Sequence, residues 1–86
     1  MMKGLLKMKY EVLVQLKEEV LDPEGRAIEH NLQSLGFKEI KAIKVSKRYI
    51  IEVNDSKEES EQLLEKISKK FLSNPTSQTY TLNRLN

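Results

Sequence analysis

The sequence predicts an α+β fold of order β-α-β-β-α-β, a two-layer sandwich with an antiparallel sheet and both helices on one face. Three observations predict it. Tyr10, Val12, Val14 and Leu16 alternate with Glu11, Leu13 and Gln15, the pattern of a half-buried strand. Asp22-Pro23 and Gly36 bracket a helix-length segment with start and stop chemistry. Ser56-Lys57-Glu58-Glu59 opens a second such segment with a capping box. That order matches the split βαβ arrangement, in which strands pair antiparallel and both crossover helices pack on one side.

The elements follow in order. Residues 1–8 read as an irregular lead-in without the apolar core of a signal peptide, and 9–86 as a single domain. The first strand spans Lys9 to Leu16. Asp22 is placed to cap the first helix by accepting from N–H groups that the first turn leaves unpaired, and Pro23 sits where its missing N–H costs nothing. Gly25 has no local reason in a first turn, where it weakens a helix by up to about 1 kcal/mol relative to alanine. Close approach of another backbone, contact with a partner, and simple tolerance are the readings open to it. Ile28, Leu32 and Leu35 form the apolar stripe of this helix, and Gly36 supplies its left-handed stop.

From Phe37 to Val53 the pattern reads as two strands, marked by Ile40, Ile43 and Val45 and then by Tyr49, Ile51 and Val53, with Ser46-Lys47 at the reversal. The second helix runs from Ser56 as cap to Leu72, with Leu63, Leu64, Ile67 and Phe71 on its inner face. Asn74-Pro75 ends it, and Gln78 to Asn83 forms the last strand. The helices are expected over Tyr10, Val12, Val14 and Ile51. Leu13 and Ile50, with Ile43 as a further candidate, are left on the open face, where they suggest self-association.

Composition removes several function classes. At 86 residues with no cysteine, the chain has no disulfide, thiol nucleophile or zinc–thiolate site. Its net charge of +2, with acids and bases interspersed, is not the footprint of a nucleic-acid binder. No stretch is apolar enough for a transmembrane helix. His30 stands alone opposite the apolar stripe, so neither a nucleophile triad nor a metal site is expected, and the scattered glycines form no phosphate loop. No catalytic residue or cofactor is expected. By chemistry alone the chain is a small interaction or ligand-binding module.

A family resemblance goes further. Tyr10-Glu11-Val12, Leu21-Asp22-Pro23-Glu24-Gly25 with Ala27, Leu32, Leu35-Gly36-Phe37, Val45-Ser46-Lys47-Arg48-Tyr49-Ile50, and Asn74-Pro75 followed by Tyr80 stand in an order and spacing that resemble the PurS family. This is the small subunit of bacterial and archaeal phosphoribosylformylglycinamidine synthase. The chain departs from the family at Ser46, where a glycine is usual, and at Thr76, Ser77 and Gln78, where the family tends to two apolar residues and an acid.

The resemblance implies a subunit without catalytic residues of its own. It implies a dimer or larger assembly that joins an ATP-dependent synthetase subunit to a glutaminase subunit in purine biosynthesis, in the cytoplasm. On this reading, Gly25 with its helix start, Lys47, Arg48 and Tyr49 at the reversal, and Asn74-Pro75 before the last strand are candidate partner contacts, beside Leu13 and Ile50 on the open face. The alternative from another class is a regulatory module that binds a small ligand.

Overall fold

The computed structural model describes residues 7–86. The lead-in expected over 1–8 lies outside the described residues as far as position 6; Lys7 and Met8 already belong to the first strand. The elements are β1 (Lys7–Leu16), α1 (Pro23–Ser34), β2 (Lys47–Asn54), α2 (Lys57–Ile67) with one π-helical turn over Ser68–Leu72, and β3 (Gln78–Arg84). The sheet is antiparallel in the order β2-β1-β3, with the N-terminal strand in the centre.

The alternation in β1 sets the two faces of this sheet. Met8, Tyr10, Val12 and Val14 are buried, and Tyr10 meets Ile51 across the β1–β2 ladder while Val12 meets Leu82 across β1–β3. On the other face Glu11 stands opposite Ile50 and Asn83, and Leu13 opposite Arg48 and Thr81. The α2 helix covers the first face through Leu64, which clusters with Met8 and Tyr10 while Ile51, Val53, Ile67 and Leu82 pack around them half-buried.

The inner face of α2 differs from the expected one. Ser60, Leu64 and Ser68 are fully buried at intervals of four, whereas Leu63 and Phe71 are exposed, Phe71 at 77%. Two small serines flanking one leucine let the helix sit close to the sheet. The π turn then adds a residue to the helical repeat, closed by the Ser73 N–H donating to the Ser68 carbonyl at 3.0 Å, and swings Phe71 out of the stripe.

The largest departure concerns residues 37–46. They do not form the expected strand, and among the described residues the sheet has three strands rather than four. The segment instead returns along α1. The side-chain amide of Gln33 donates to the Ile40 carbonyl at 2.9 Å near the far end of the helix, and Val45 N–H donates to the Asp22 carboxylate at 2.7 Å near its start. One edge of the segment is thus occupied by α1, and among the described residues no strand pairs with the other. Lys47 and Arg48 consequently open β2 and do not sit at a hairpin reversal.

Together α1 and this return segment form an arm. Only the first turn of α1 meets the end of the sheet, where Asp22, Pro23 and Glu24 adjoin Val14 and Leu16. Beyond Gly25 the helix buries none of its residues. The molecule measures 61 × 25 × 14 Å and has a radius of gyration of 17.5 Å. A compact domain of this length has about 12 Å. A ten-residue strand of about 33 Å followed end to end by a twelve-residue helix of about 18 Å accounts for most of the long axis.

Candidate interaction surfaces

The base of the arm is tied by Asp22. Its side chain accepts from Gly25 N–H at 2.9 Å as helix cap and from Val45 N–H at 2.7 Å across the chain. Both bonds favour the charged form, so the carboxyl titrates below the usual aspartate range, the Gly25 bond contributing most and the Val45 bond next. Gly25 is what permits this geometry. A Cβ built there would lie 2.1 Å from the Ile43 carbonyl oxygen, so the position excludes every other residue unless the backbone moves. The close approach that Gly25 allows is therefore to its own chain. At the other end of α1, Gly36 (φ 101°) closes a Schellman motif in which Phe37 N–H reaches the Leu32 carbonyl and Gly36 N–H the Gln33 carbonyl.

The open face of the sheet carries a polar network between its two aliphatic side chains. Arg48 pairs with Glu11, whose other carboxylate oxygen lies 3.4 Å from the Asn83 amide. Those bonds, the one from Arg48 first and the one from Asn83 next, hold the Glu11 carboxyl below the ordinary glutamate range. Leu13 and Ile50 are diagonal neighbours around this network; Leu13 is half-buried and Ile50 is 46% exposed. Arg48 shares their face, whereas Lys47 and Tyr49 share the opposite face with Val14 and Val12.

Asn74-Pro75 forms the entry to β3. The Asn74 carbonyl accepts from Ser77 and Gln78 N–H, its side chain accepts from Thr76 N–H at 3.0 Å, and Gln78 returns a bond to Asn74 N–H at 2.7 Å. Pro75 lines a shallow depression with Lys17, Lys69 and Tyr80, and the Tyr80 hydroxyl donates to Glu65 at 2.6 Å.

The candidates thus fall into two places. Leu13, Ile50 and Arg48 lie together on the open face. Gly25, Lys47 and, through Gln78, Asn74-Pro75 gather at the end of the sheet where α1, β2 and β3 all begin. Two depressions open there, one of about 180 Å³ lined by Leu16, Asp22, Lys44 and Val45 among others and one of about 320 Å³ lined by Val14, Pro23, Lys47 and Gln78 among others, below and at the lower end of the roughly 300–1,000 Å³ of pockets that hold small ligands. Among the described residues no group of three or more His, Cys, Asp or Glu is arranged to hold a metal ion. No helix among them is long and apolar enough to cross a membrane.

Sequence reasoning missed two exposed apolar sites. A uniform 3.6-residue period puts Phe71 in the core, and the extra residue of a π turn, which leaves no mark in that period, exposes it instead. The arm was missed because the stripe of Ile28, Leu32 and Leu35 reads as core-facing whether its cover comes from the same chain or another.

The family model of PurS, described as phosphoribosylformylglycinamidine (FGAM) synthase, matches residues 9–86. The chain belongs to the PurS family. A PurS subunit of phosphoribosylformylglycinamidine synthase from Archaeoglobus fulgidus is 38% identical over 73 residues, covering 84% of this chain and 91% of the relative. The crystal structure of Methanocaldococcus jannaschii PurS, named as one of the subunits of formylglycinamide ribonucleotide amidotransferase, superimposes with a TM-score of 0.81 at 33% identity, over 92% of this chain and 96% of that one. A chain in the structure of PurLQS from Thermotoga maritima matches with a TM-score of 0.82 at 27% identity, over 94% and 100%. PurS relatives thus share this chain's α+β architecture across nearly its whole length.

Proposed function

We propose that this chain is the small subunit of a phosphoribosylformylglycinamidine synthase, joining the ATP-dependent synthetase subunit to the glutaminase subunit in purine biosynthesis. The observation that carries the reading is the match, over nearly all of both chains, to a component of an assembled PurLQS complex. The complex uses glutamine, ATP and formylglycinamide ribonucleotide and yields formylglycinamidine ribonucleotide, glutamate, ADP and phosphate. The chemistry belongs to the larger subunits. This chain contributes orientation: ammonia freed at one site reaches the other only if the two are held in register and water is kept out of the path. The proposal includes a cytoplasmic location, where that reaction draws on ATP and glutamine.

The residues that serve this role are proposed from their placement. Leu13, Ile50 and Arg48 offer a patch on the open face for self-association or for a larger subunit. Gly25, Lys47, Asn74 and Pro75 shape the end of the sheet where three elements start, which makes that end a second contact region for the partners, with Tyr49 two residues further along β2 opposite Val12.

The test compares synthetase turnover by the larger subunits with and without this chain, using glutamine or free ammonia as nitrogen donor. The expected result is that glutamine-dependent turnover requires the chain while ammonia-dependent turnover survives without it. Equal turnover in all conditions, with no co-migration of the three chains, would remove the proposal.

A further inference from the structure

We propose that the outer side of α2 and its π turn form the surface on which the glutaminase subunit docks, with Phe71 entering an apolar pocket rimmed by carboxylates. The proposal rests on the bridging role and assigns one side of the bridge to residues outside both contact regions described above.

Phe71 is displayed by construction. The π turn that carries it is held by two bonds from Ser73 to the Ser68 carbonyl, the N–H donating at 3.0 Å and the hydroxyl at 2.8 Å. Ser68 itself is fully buried, so the turn is anchored at its base. The ring is left 77% exposed, more than any other large apolar side chain among the described residues. A single π turn interrupts the regular helical ladder, and such turns concentrate at functional sites.

Cations surround the ring. Leu63, Lys66 and Lys70 stand at i, i+3 and i+7 along one side of the helix, and Phe71 follows directly. Leu63 is itself 44% exposed. Lys66, Lys69 and Lys70 are all exposed, and among the described residues none of them forms an ion pair. Glu65, the acid one turn before Lys69, accepts instead from the Tyr80 hydroxyl at 2.6 Å. The patch is therefore apolar at its centre and positive at its rim, in a chain whose net charge is only +2.

Charge decides what covers it. A second copy would meet the patch across a two-fold axis and set its lysines against the same lysines, an arrangement that repels. The synthetase subunit handles ATP and a ribonucleotide, both polyanions, and the positive potential that steers such substrates also repels a lysine patch. The glutaminase subunit acts on glutamine, which carries no net charge, and is free to present carboxylates. An anionic lipid surface would attract the lysines too, but the apolar stripe of α2 is occupied by the sheet, which leaves a membrane one ring and one leucine. The placement suits a bridge. Because α2 covers one face of the sheet while Leu13 and Ile50 lie on the other, two partners can be held at once without overlap.

The test titrates the glutaminase subunit into a mixture of this chain and the synthetase subunit, with glutamine present, and follows assembly by sedimentation velocity. Phe71→Ser should raise the half-point of assembly about ten- to a hundredfold, in line with losing one buried aromatic ring, while binding to the synthetase subunit alone is unchanged. The unmodified complex should loosen as salt rises, and Lys66→Glu with Lys70→Glu should weaken it and abolish that dependence. All three side chains are exposed, so the melting temperatures of the variants should match that of the unmodified chain. An unchanged half-point for Phe71→Ser, loss of synthetase binding in its place, or Phe71-dependent sedimentation with phosphatidylserine vesicles would overturn the proposal. If the unmodified chain assembles with neither subunit, the bridging role falls first and this surface falls with it.

Discussion

Gly25→Ala puts the architecture of the arm to a quantitative test. Alanine is the better helix former and by propensity alone gains up to about 1 kcal/mol in α1. The structure predicts the opposite sign. The added Cβ would sit 2.1 Å from the Ile43 carbonyl oxygen and 3.0 Å from its carbonyl carbon, and backbone atoms have no rotamer by which to withdraw. Overpacking of this kind costs about 1–3 kcal/mol, and an obstacle made of backbone belongs at the upper end. Subtracting the propensity gain leaves a net loss of about 2 kcal/mol. For a chain of this size that lowers the melting temperature by about 8–16 °C. Thermal melts followed by circular dichroism, at matched protein concentration, measure it. The same variant should weaken the Val45–Asp22 bond, seen as faster hydrogen exchange at Val45. An unchanged or raised melting temperature would show that Ile43 does not rest on Gly25, and the arm as described would not exist.

Four further outcomes follow from the same geometry. Because the Asp22 carboxyl is held below its unfolded value by the Gly25 and Val45 bonds, its contribution to stability is complete above the unfolded pKa of 3.8 and is lost as pH falls below that value through the folded pKa; Asp22→Asn should flatten this acid limb in urea titrations. Arg48→Met should return the Glu11 titration in NMR toward the ordinary glutamate range while leaving the melting temperature nearly unchanged, since the guanidinium is largely exposed. The Tyr10 hydroxyl is buried beside the Glu61 carboxylate but makes no well-formed hydrogen bond among the described residues, so Tyr10→Phe should be neutral or stabilise by about 1 kcal/mol in urea unfolding, and a clear loss would show that Glu61 holds it. Leu13→Glu with Ile50→Glu should leave the circular dichroism spectrum intact and weaken association in light scattering; an unchanged mass would remove the open face as a contact surface.

Much of the fold was legible because local chemistry and tertiary structure agreed. The alternation from Tyr10 to Val14 buries as its period requires, and Asp22, Gly36 and Ser56 act at the ends of helices as their side chains or φ angles dictate. The failures have separate physical sources. Residues 37–46 carry a strand's alternation, but a strand also needs a neighbour, and the sequence does not say that α1 occupies one edge while the chain leaves the other open. Phe71 leaves the stripe that its spacing predicts because one extra residue in a helical turn shifts later side chains by about 100° around the helix axis. Among the candidate contacts, Leu13 and Ile50 share a face as the strand period requires, whereas Arg48 joins them there because residues 47 and 48 open β2 instead of turning a reversal. The gathering of Lys47 and Gln78 beside Asp22 needed the topology, which no local pattern supplies.

Placing the N-terminal strand at the centre of the sheet has a consequence for biosynthesis. Tyr10 pairs with Arg84, so the second edge of β1 stays vacant until residues 78–84 have been made and have left the ribosome. Until then the nascent chain carries the apolar row from Met8 to Val14 with at most one flanking strand in place. Sheet completion therefore waits for β3, and its rate is governed by closure of the long loop between residues 16 and 78. Truncations that remove β3 should accumulate as aggregates, since they expose the central strand that the finished protein hides.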